Sequence, residues 1–440
     1  MSREDLREED AFMRVMTRDG FSPDLPAALA PGRSALSPAA RLLLYMLSGM
    51  EVGTLDVQLP GSVLRQFRGS EPGPHGVFRI KNPSGLIRRV LAGGEVGIGD
   101  AYLDDCWDSP DLTQLLMALY RNEPHYKGPF EKNLLGRLYG WWRHRRRANT
   151  RRVAKKNIEH HYDLGNEFYK MWLDETMAYS SALFKRADES MNATSAMFIQ
   201  PTETLRDAQL NKFRLMYERL DLRPGHRLLE IGSGWGGFAI YAAQHSGCRV
   251  HSITLSGEQL VEARARAAAA GVADRVTFEL RDYRDVRETY DRVVSIEMYE
   301  AVGEEWWPAY FATIARALRP GGRAAIQGIT INPAIFGHYR LKRDFIQKYI
   351  FPGGMLPSEA RLKAETDRAG LSWAGIHRFG SNYADTLAEW ARRFEAAWGE
   401  IRGLGFDERF RKLWRFYLSY CEAGFRTERT DVVQLNLAKA

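Results

Sequence analysis

The chain has 440 residues, 45% hydrophobic and 27% charged, with a formal net charge of +7. That length allows two or three domains with ample core, and the composition excludes a disordered or low-complexity protein. A positive balance of this size fits nucleic acid, anionic lipid or no charged partner at all, so the location of the charge has to decide.

The chain opens on charged Met1-Ser2-Arg3-Glu4-Asp5 with no apolar stretch behind it, so no secretory signal is expected. Residues 1–140 read as a separate mixed α/β domain. Leu42–Met50 suggests a helix, and Thr54–Leu59, Gly76–Ile80 and Val96–Ile98 are short strand candidates split by Gly and Pro. The apolar run Leu42–Leu47 is far too short to span a bilayer.

Residues 141–156 form a basic junction. Leu134, Leu135, Leu138, Tyr139, Trp141 and Trp142 fall at helical spacing, beside Arg143, Arg145, Arg146, Arg147, Arg151 and Arg152. Two readings stand level: a helix lying in an anionic membrane surface, or a solvated linker whose tryptophans pack on a neighbouring domain. A nucleic-acid groove ranks behind both, since no recognition motif accompanies the charge. His160 and His161 are adjacent and lack metal-ligand spacing, so no metal is assigned.

From residue 222 onward strands and helices alternate. Strands are expected near 227–231, 249–255, 276–280, 291–297 and 323–330, with Arg319-Pro320-Gly321-Gly322 as a turn into the fifth. This order predicts a doubly wound α/β sheet, whose ligands sit beyond the carboxyl ends of its strands.

The most telling segment runs Leu228-Leu229-Glu230-Ile231-Gly232-Ser233-Gly234-Trp235-Gly236-Gly237, an apolar strand entering a Gly-rich turn and then a helix. Gly232, Gly234 and Gly237 fit G-x-G-x-x-G, which alone is weak. A dinucleotide site wants an acid about 20 residues on, at the end of the next strand. Here that strand, Arg249–Ser256, ends in hydroxyls. The acids lie instead at Glu230, before the turn, and at Asp282, after the third strand. This suits a ligand with an adenosine but no pyrophosphate, namely S-adenosylmethionine. Glu230, Thr254, Asp282 and Glu300 all fall at or just past strand ends, and a buried glutamate at 300 without a function would be costly.

The last hundred residues read as helical and aromatic. Leu387, Trp390, Ala391, Phe394, Ala397, Trp398 and Ile401 keep a 3.6 period, as do Phe406, Phe410, Leu413, Trp414, Tyr417, Cys421 and Phe425. Such stripes are mostly core; some could wall a pocket for a long apolar substrate. The three cysteines, Cys106, Cys248 and Cys421, lie far apart without a paired spacing and read as buried thiols in a reducing cytosol.

Several longer motifs carry a resemblance. His161-Tyr162-Asp163-Leu164-Gly165-Asn166-Glu167-Phe168-Tyr169, Tyr179-Ser180-Ser181, Glu230–Gly237, Thr254-Leu255-Ser256 with Gln259, Asp282-Tyr283, Glu300 with Val302-Gly303, and Lys348–Gly354 together resemble the cyclopropane-fatty-acyl-phospholipid synthases and mycolic acid methyltransferases. The likeness runs from about 157 to 430; residues 1–140 match only loosely, as a lipid-associated domain.

The resemblance implies a class I methyltransferase (Rossmann-like) fold over 157–440 with helical cap insertions. It also implies a reaction. The methyl of S-adenosylmethionine passes to a cis double bond of an acyl chain, and the resulting cation loses a proton and closes to a cyclopropane. By the same likeness Tyr179, Ser180, Gly232, Gly234, Thr254, Leu255, Gln259, Asp282 and Tyr283 look like the donor site, to which the residue reading adds Glu230. A bound bicarbonate is implied as proton acceptor, with Glu300, Ile329 and Tyr383 matching its site.

The sequence departs from the family pattern at three places: Ser181 stands for a cysteine, Ala301 for a histidine and Gln327 for another histidine. Ser and Gln still donate hydrogen bonds to an oxyanion, but the lost imidazoles open a choice of ending, cyclopropane or a methylene- or methyl-branched chain. Phospholipid acyl chains at an anionic surface, a peripheral position on the inner face of the cytoplasmic membrane and, by analogy, a homodimer complete the expectations.

Overall fold

The computed structural model describes residues 36–126, 164–185 and 203–440. The basic junction 141–156 with its tryptophans, the leucines and Tyr139 before it, and His160 to Asp163 lie outside the described residues. The chain divides into two compact units, one of 1–137 with 412–423 and one of 138–411 with 424–440.

The first unit holds a four-stranded sheet in the order β2-β1-β3-β4, from β1 (Val52–Leu59), β2 (Val63–Arg68), β3 (Glu71–Ile80) and β4 (Trp107–Asp108). β1 alternates as half-buried strands do, with Leu55, Val57 and Leu59 inward. The first helix among the described residues is Pro38–Leu47, capped by Ser37. Val96–Ile98 is not a strand but part of the helix Glu95–Leu103. A short apolar run has no period of its own to separate the two, and Gly97 lets this helix meet the preceding one: a Cβ there would lie 2.0 Å from the Arg89 carbonyl oxygen. The unit is completed from far along the chain. Phe416 packs on Tyr102 with ring centroids 5.5 Å apart, and Thr113 Oγ1 donates to Glu422 at 2.9 Å. Both partners sit on the helix Glu408–Arg426, whose residues 412–423 belong to this unit.

The second unit is built on seven strands in the order β10 (Leu371–Arg378), β11 (Thr430–Lys439), β9 (Leu318–Ile331), β8 (Tyr290–Ile296), β5 (Arg227–Ile231), β6 (Arg249–Thr254), β7 (Val276–Leu280). The parallel core comprises β5, β6, β7, β8 and β9. Alternate residues feed two apolar layers: Leu229, Val293 and Ala324 one face, Leu228, Val294 and Ala325 the other. Both faces of the central strands are covered, so β5 and β8 bury successive residues. Pro320-Gly321-Gly322 is not a turn ahead of the fifth strand but an irregularity inside it. Tyr290 pairs with Leu318 and Arg292 already with Arg323, and Gly321 supplies φ +72.

The expectation of an all-helical C-terminal region is corrected by two strands, β10 (Leu371–Arg378) and β11 (Thr430–Lys439), which pair antiparallel, with β11 also antiparallel to β9. The aromatic stripe from Leu387 lies on the helix Gly380–Ala396 and, after a break at Ala397, on Trp398–Gly403. Cys106 and Cys248 are buried, whereas Cys421 is partly exposed. Among the described residues no helix is long and apolar enough to cross a membrane.

Candidate active site

β6 and β8 leave β5 on opposite sides, so the turn after β5 sits where the strand order reverses, the place where open α/β sheets bind ligands. Gly232 and Ser233 N–H groups both donate to the Ile253 carbonyl, at 3.0 and 3.1 Å. At Gly232 (φ +96) a Cβ would lie 2.4 Å from Met298 Cγ, so the turn needs glycine for space and for backbone shape. Gly234 (φ +49) meets no protein atom within 4 Å, leaving an open cradle above the turn.

Glu230 does not present its charge at the mouth of the sheet. It is buried under the turn, where it accepts from Ser252 Oγ, which in turn lies 2.7 Å from Ser233 Oγ. Burial pushes its carboxyl up to about 8. Glu230 therefore braces the glycine turn from below.

At the end of β6, Thr254 Oγ1 lies 3.1 Å from Gln259 Oε1, and Ser256 caps the following helix by accepting from the Gln259 N–H. Leu255 between them is partly exposed. Past β7, Asp282 caps a short turn and is gripped by Arg284, with Nε at 2.9 Å and Nη2 at 2.6 Å. The Arg284 guanidinium lies 4.9 Å from the Trp306 ring centroid, and Tyr283 is buried beside it.

Tyr179 and Ser180 come from a loop held against the helix Leu205–Leu220. The Tyr179 ring packs among Tyr169, Trp172 and Trp390, with centroids 5.3 to 5.5 Å away. Gln209 Nε2 donates to the Ser180 carbonyl at 2.9 Å, and Lys212 Nζ to the Ser180 hydroxyl at 2.6 Å. Lys212 is fully buried, which pushes its ammonium down to about 8. It was not singled out from the sequence, although it falls on the apolar stripe of Leu205, Ala208 and Met216.

The expected anion site holds an acid the sequence reading did not name. Glu297 directly follows β8, in the left-handed region at φ +52. Its carboxylate accepts three hydrogen bonds: the Ser181 N–H at 2.8 Å, Gln327 Nε2 at 2.9 Å and Tyr383 Oη at 2.7 Å. Gln327 is itself oriented, because Gln434 Nε2 donates to its Oε1 at 2.9 Å and leaves its amide nitrogen for Glu297. The Ser181 hydroxyl turns away to the Ala182 carbonyl, so only the backbone of Ser181 contributes, a role any residue type can fill. Glu300 Oε1 accepts the Ile329 N–H at 2.5 Å, while its enclosed Oε2 has no partner.

Burial raises the proton affinity of both acids. Glu300 rises far above the usual carboxylate range, helped by the charge of Glu297; the donors around Glu297 and the Lys212 cation work against its rise. Of the pair, Glu300 holds its proton the more tightly, and Glu297, with three donors on its carboxylate, is the one better able to carry a negative charge. The five residues expected around bicarbonate do converge, but three of them direct their donors at Glu297. They do not fit a free anion in the same place.

Residues 149–435 match the family model described as mycolic acid cyclopropane synthetase. The chain belongs to this family. It is 37% identical over 418 residues to tuberculostearic acid methyltransferase UfaA1 of Mycobacterium tuberculosis, covering 94% of this chain and 95% of the relative. It is 35% identical over 375 residues to the cyclopropane-fatty-acyl-phospholipid synthase of Escherichia coli, covering 84% and 88%. The crystal structure of mycolic acid cyclopropane synthase CmaA1 complexed with SAH and CTAB superposes with a TM-score of 0.58 at 30% identity, covering 65% of this chain and 98% of that one. The cyclopropane synthase family member described here is an S-adenosylmethionine-dependent methyltransferase with the class I fold of those neighbours. Its glycine crest at the sheet reversal suits that donor.

Proposed function

We propose that this enzyme transfers the methyl of S-adenosylmethionine to a carbon of a cis double bond in a phospholipid acyl chain, and that the resulting cation sheds a proton inside the same enclosed site. The observation that carries this reading is the adjacency of an open glycine cradle after β5 to an enclosed acid pair after β8, with aromatic rings around the loop between them. When bound, S-adenosylmethionine supplies an electrophilic methyl on a sulfonium. Gly232, Gly234, Thr254, Leu255, Gln259, Asp282, Tyr283, Tyr179 and Ser180 are the residues proposed to hold it. Glu230 supports the turn.

A neutral alkene is a weak nucleophile, so the protein's main contributions are holding it in line with the methyl and excluding water. Ring faces such as Tyr179 and Trp390 favour a passing positive charge electrostatically. Proton loss from the transferred methyl closes a cyclopropane, the outcome the family name suggests. A 1,2-hydride shift that moves the cation to the methyl-bearing carbon, followed by proton loss from that methyl, leaves a methylene branch, an ending favoured by the likeness to a tuberculostearic acid methyltransferase over 94% of the chain.

On this reading residues 157–440 form the methyltransferase domain and 1–140 a lipid-associated one. The basic junction 141–156 meets an anionic surface, and the enzyme is cytoplasmic, peripheral on the inner face of the membrane and a homodimer. Co-sedimentation with anionic against neutral vesicles checks the surface: binding indifferent to lipid charge and to Arg145→Ala with Arg146→Ala and Arg147→Ala rules it out. Proton NMR after incubation with unsaturated phospholipid tests the chemistry. Cyclopropyl protons appear upfield of other aliphatic signals and an exocyclic methylene among the olefins; a lipid that gains no carbon sinks the reading.

A further inference from the structure

We propose that Glu297 is the resident base of this site, the group that takes the proton from the methylated acyl chain without help from a dissolved anion. The inference rests on the reading of the reaction given above and names the proton acceptor within it.

Two features at Glu297 are unfavourable for folding. Its backbone lies in the left-handed region at φ +52, which a side chain with a Cβ adopts at a cost, and its partly buried carboxylate gives up hydration to surrounding protein atoms. Such strain persists only where the surroundings over-determine it. Here they do: donors from three separate segments reach the carboxylate, the Ser181 N–H, Gln327 Nε2 on β9 and Tyr383 Oη on the helix Gly380–Ala396. Behind Gln327, the Gln434 side chain on β11 fixes which end of the amide faces Glu297. The Glu297 N–H, donating to the Gln327 carbonyl at 2.8 Å, fixes the backbone as well. The site is therefore built around a carboxylate that the chain carries itself.

This arrangement occupies the groups on which the family resemblance would seat bicarbonate. A tethered carboxylate and a bound bicarbonate are both singly charged oxygen bases, so the same three donors serve either one. They cannot serve both at once.

In the step assigned to Glu297, the double bond's electron pair has formed the new carbon–carbon bond to the methyl, and the donor sulfur has kept the pair of the bond that broke. A C–H bond of the transferred methyl then breaks. Its electron pair closes the ring onto the cationic carbon or, after a 1,2-hydride shift has moved the cation to the methyl-bearing carbon, forms the exocyclic double bond, and its proton goes to a Glu297 oxygen, to be released to solvent afterwards. No oxidant or further reactant enters. Glu300, neutral beside it with one unpartnered oxygen, keeps a second charge out of the site.

The test compares wild type, Glu297→Gln and Glu297→Gly in degassed buffer freed of carbon dioxide, with and without added bicarbonate. Product is read by NMR, and S-adenosylhomocysteine affinity by calorimetry. The wild type is expected to run at full rate in both buffers. Glu297→Gln should lose about a hundredfold or more in turnover, the usual contribution of a positioned base, with little change in S-adenosylhomocysteine affinity. Glu297→Gly suits the local backbone and vacates the donors, so bicarbonate should restore part of its rate. A wild type that slows when bicarbonate is withdrawn and recovers on its return overturns the proposal, whatever the variants do. So does wild-type turnover by Glu297→Gln, or by Glu297→Gly without any anion. A wild type that adds no carbon to lipid in either buffer instead overturns the reading of the reaction, and the base with it.

Discussion

Tyr383 Oη donates to Glu297 Oε2 across 2.7 Å, tying a helix to the end of β8 over 86 residues of sequence. The Tyr383 ring is stacked on Phe425 with centroids 4.6 Å apart, so Tyr383→Phe keeps the packing and removes only the donor. A hydrogen bond to a charged group is worth about 1.5–3 kcal/mol, so turnover should fall roughly ten- to a hundredfold. With one donor fewer the Glu297 anion is less stable, its proton affinity rises, and the acidic limb of the kcat–pH profile moves to higher pH. A profile that stays in place would show that Tyr383 does not act through Glu297.

Two glycines of the turn should fail in different ways. Gly232→Ala puts a methyl group 2.4 Å from Met298 Cγ at φ +96, and should lower Tm with a loss of roughly 1–3 kcal/mol. A Cβ at Gly234 meets no protein atom within 4 Å, so the fold of Gly234→Val should suffer chiefly the backbone strain of φ +49. Its calorimetric titration with S-adenosylhomocysteine should nonetheless show no binding. Undiminished affinity in Gly234→Val places the donor elsewhere.

Glu230 predicts a pH dependence of stability. Its proton affinity is raised in the fold, from the ordinary 4.5 to about 8, so between those values the unfolded chain releases the proton that the folded chain keeps. Stability contributed by the neutral form is complete below the unfolded value and is lost as pH rises through the folded one, by up to about 1.4 kcal/mol per pH unit. Glu230→Gln stays neutral throughout. Its Tm relative to wild type should improve from pH 5 to pH 9, as read by calorimetric melts; a constant difference would contradict the burial argument.

Lys212 should separate stability from rate. Its ammonium is fully buried, so Lys212→Met, which keeps the volume, should melt no lower than wild type. It nevertheless removes the 2.6 Å bond to Ser180 Oγ and a positive charge that favours the Glu297 anion. Turnover should fall and its acidic limb should move upward in pH. Unaltered kinetics in a stable variant would reduce Lys212 to packing.

The five parallel strands were legible in the sequence because each holds a short stretch of strand-forming residues and they alternate with helical patterns, as in a sheet with helices on its faces. β11 was not, because Val432-Val433-Gln434-Leu435 carries a polar residue whose amide has a partner only in the folded sheet. Val96–Ile98 was misread because three residues cannot display a period. Within the site the expected residues assemble, but Glu297 was passed over in favour of Glu300. The signal was present, since Glu297 is the residue directly after the apolar strand. What no linear reading supplies is that Ser181, Gln327 and Tyr383, from three distant segments, all reach one carboxylate.

β11 follows every other strand in the chain, yet it lies between β9 and β10. During synthesis β10 has no neighbour, and one edge of β9 stays bare, until Thr430–Lys439 has cleared the ribosome. Because Gln434 arrives on that same strand, the proposed proton-accepting site is complete only once β11 has docked. Chains stalled before residue 430 should therefore be sticky and inert, and pulse proteolysis of arrested ribosome complexes would reveal a protected β5–β8 region beside a cleavable β10.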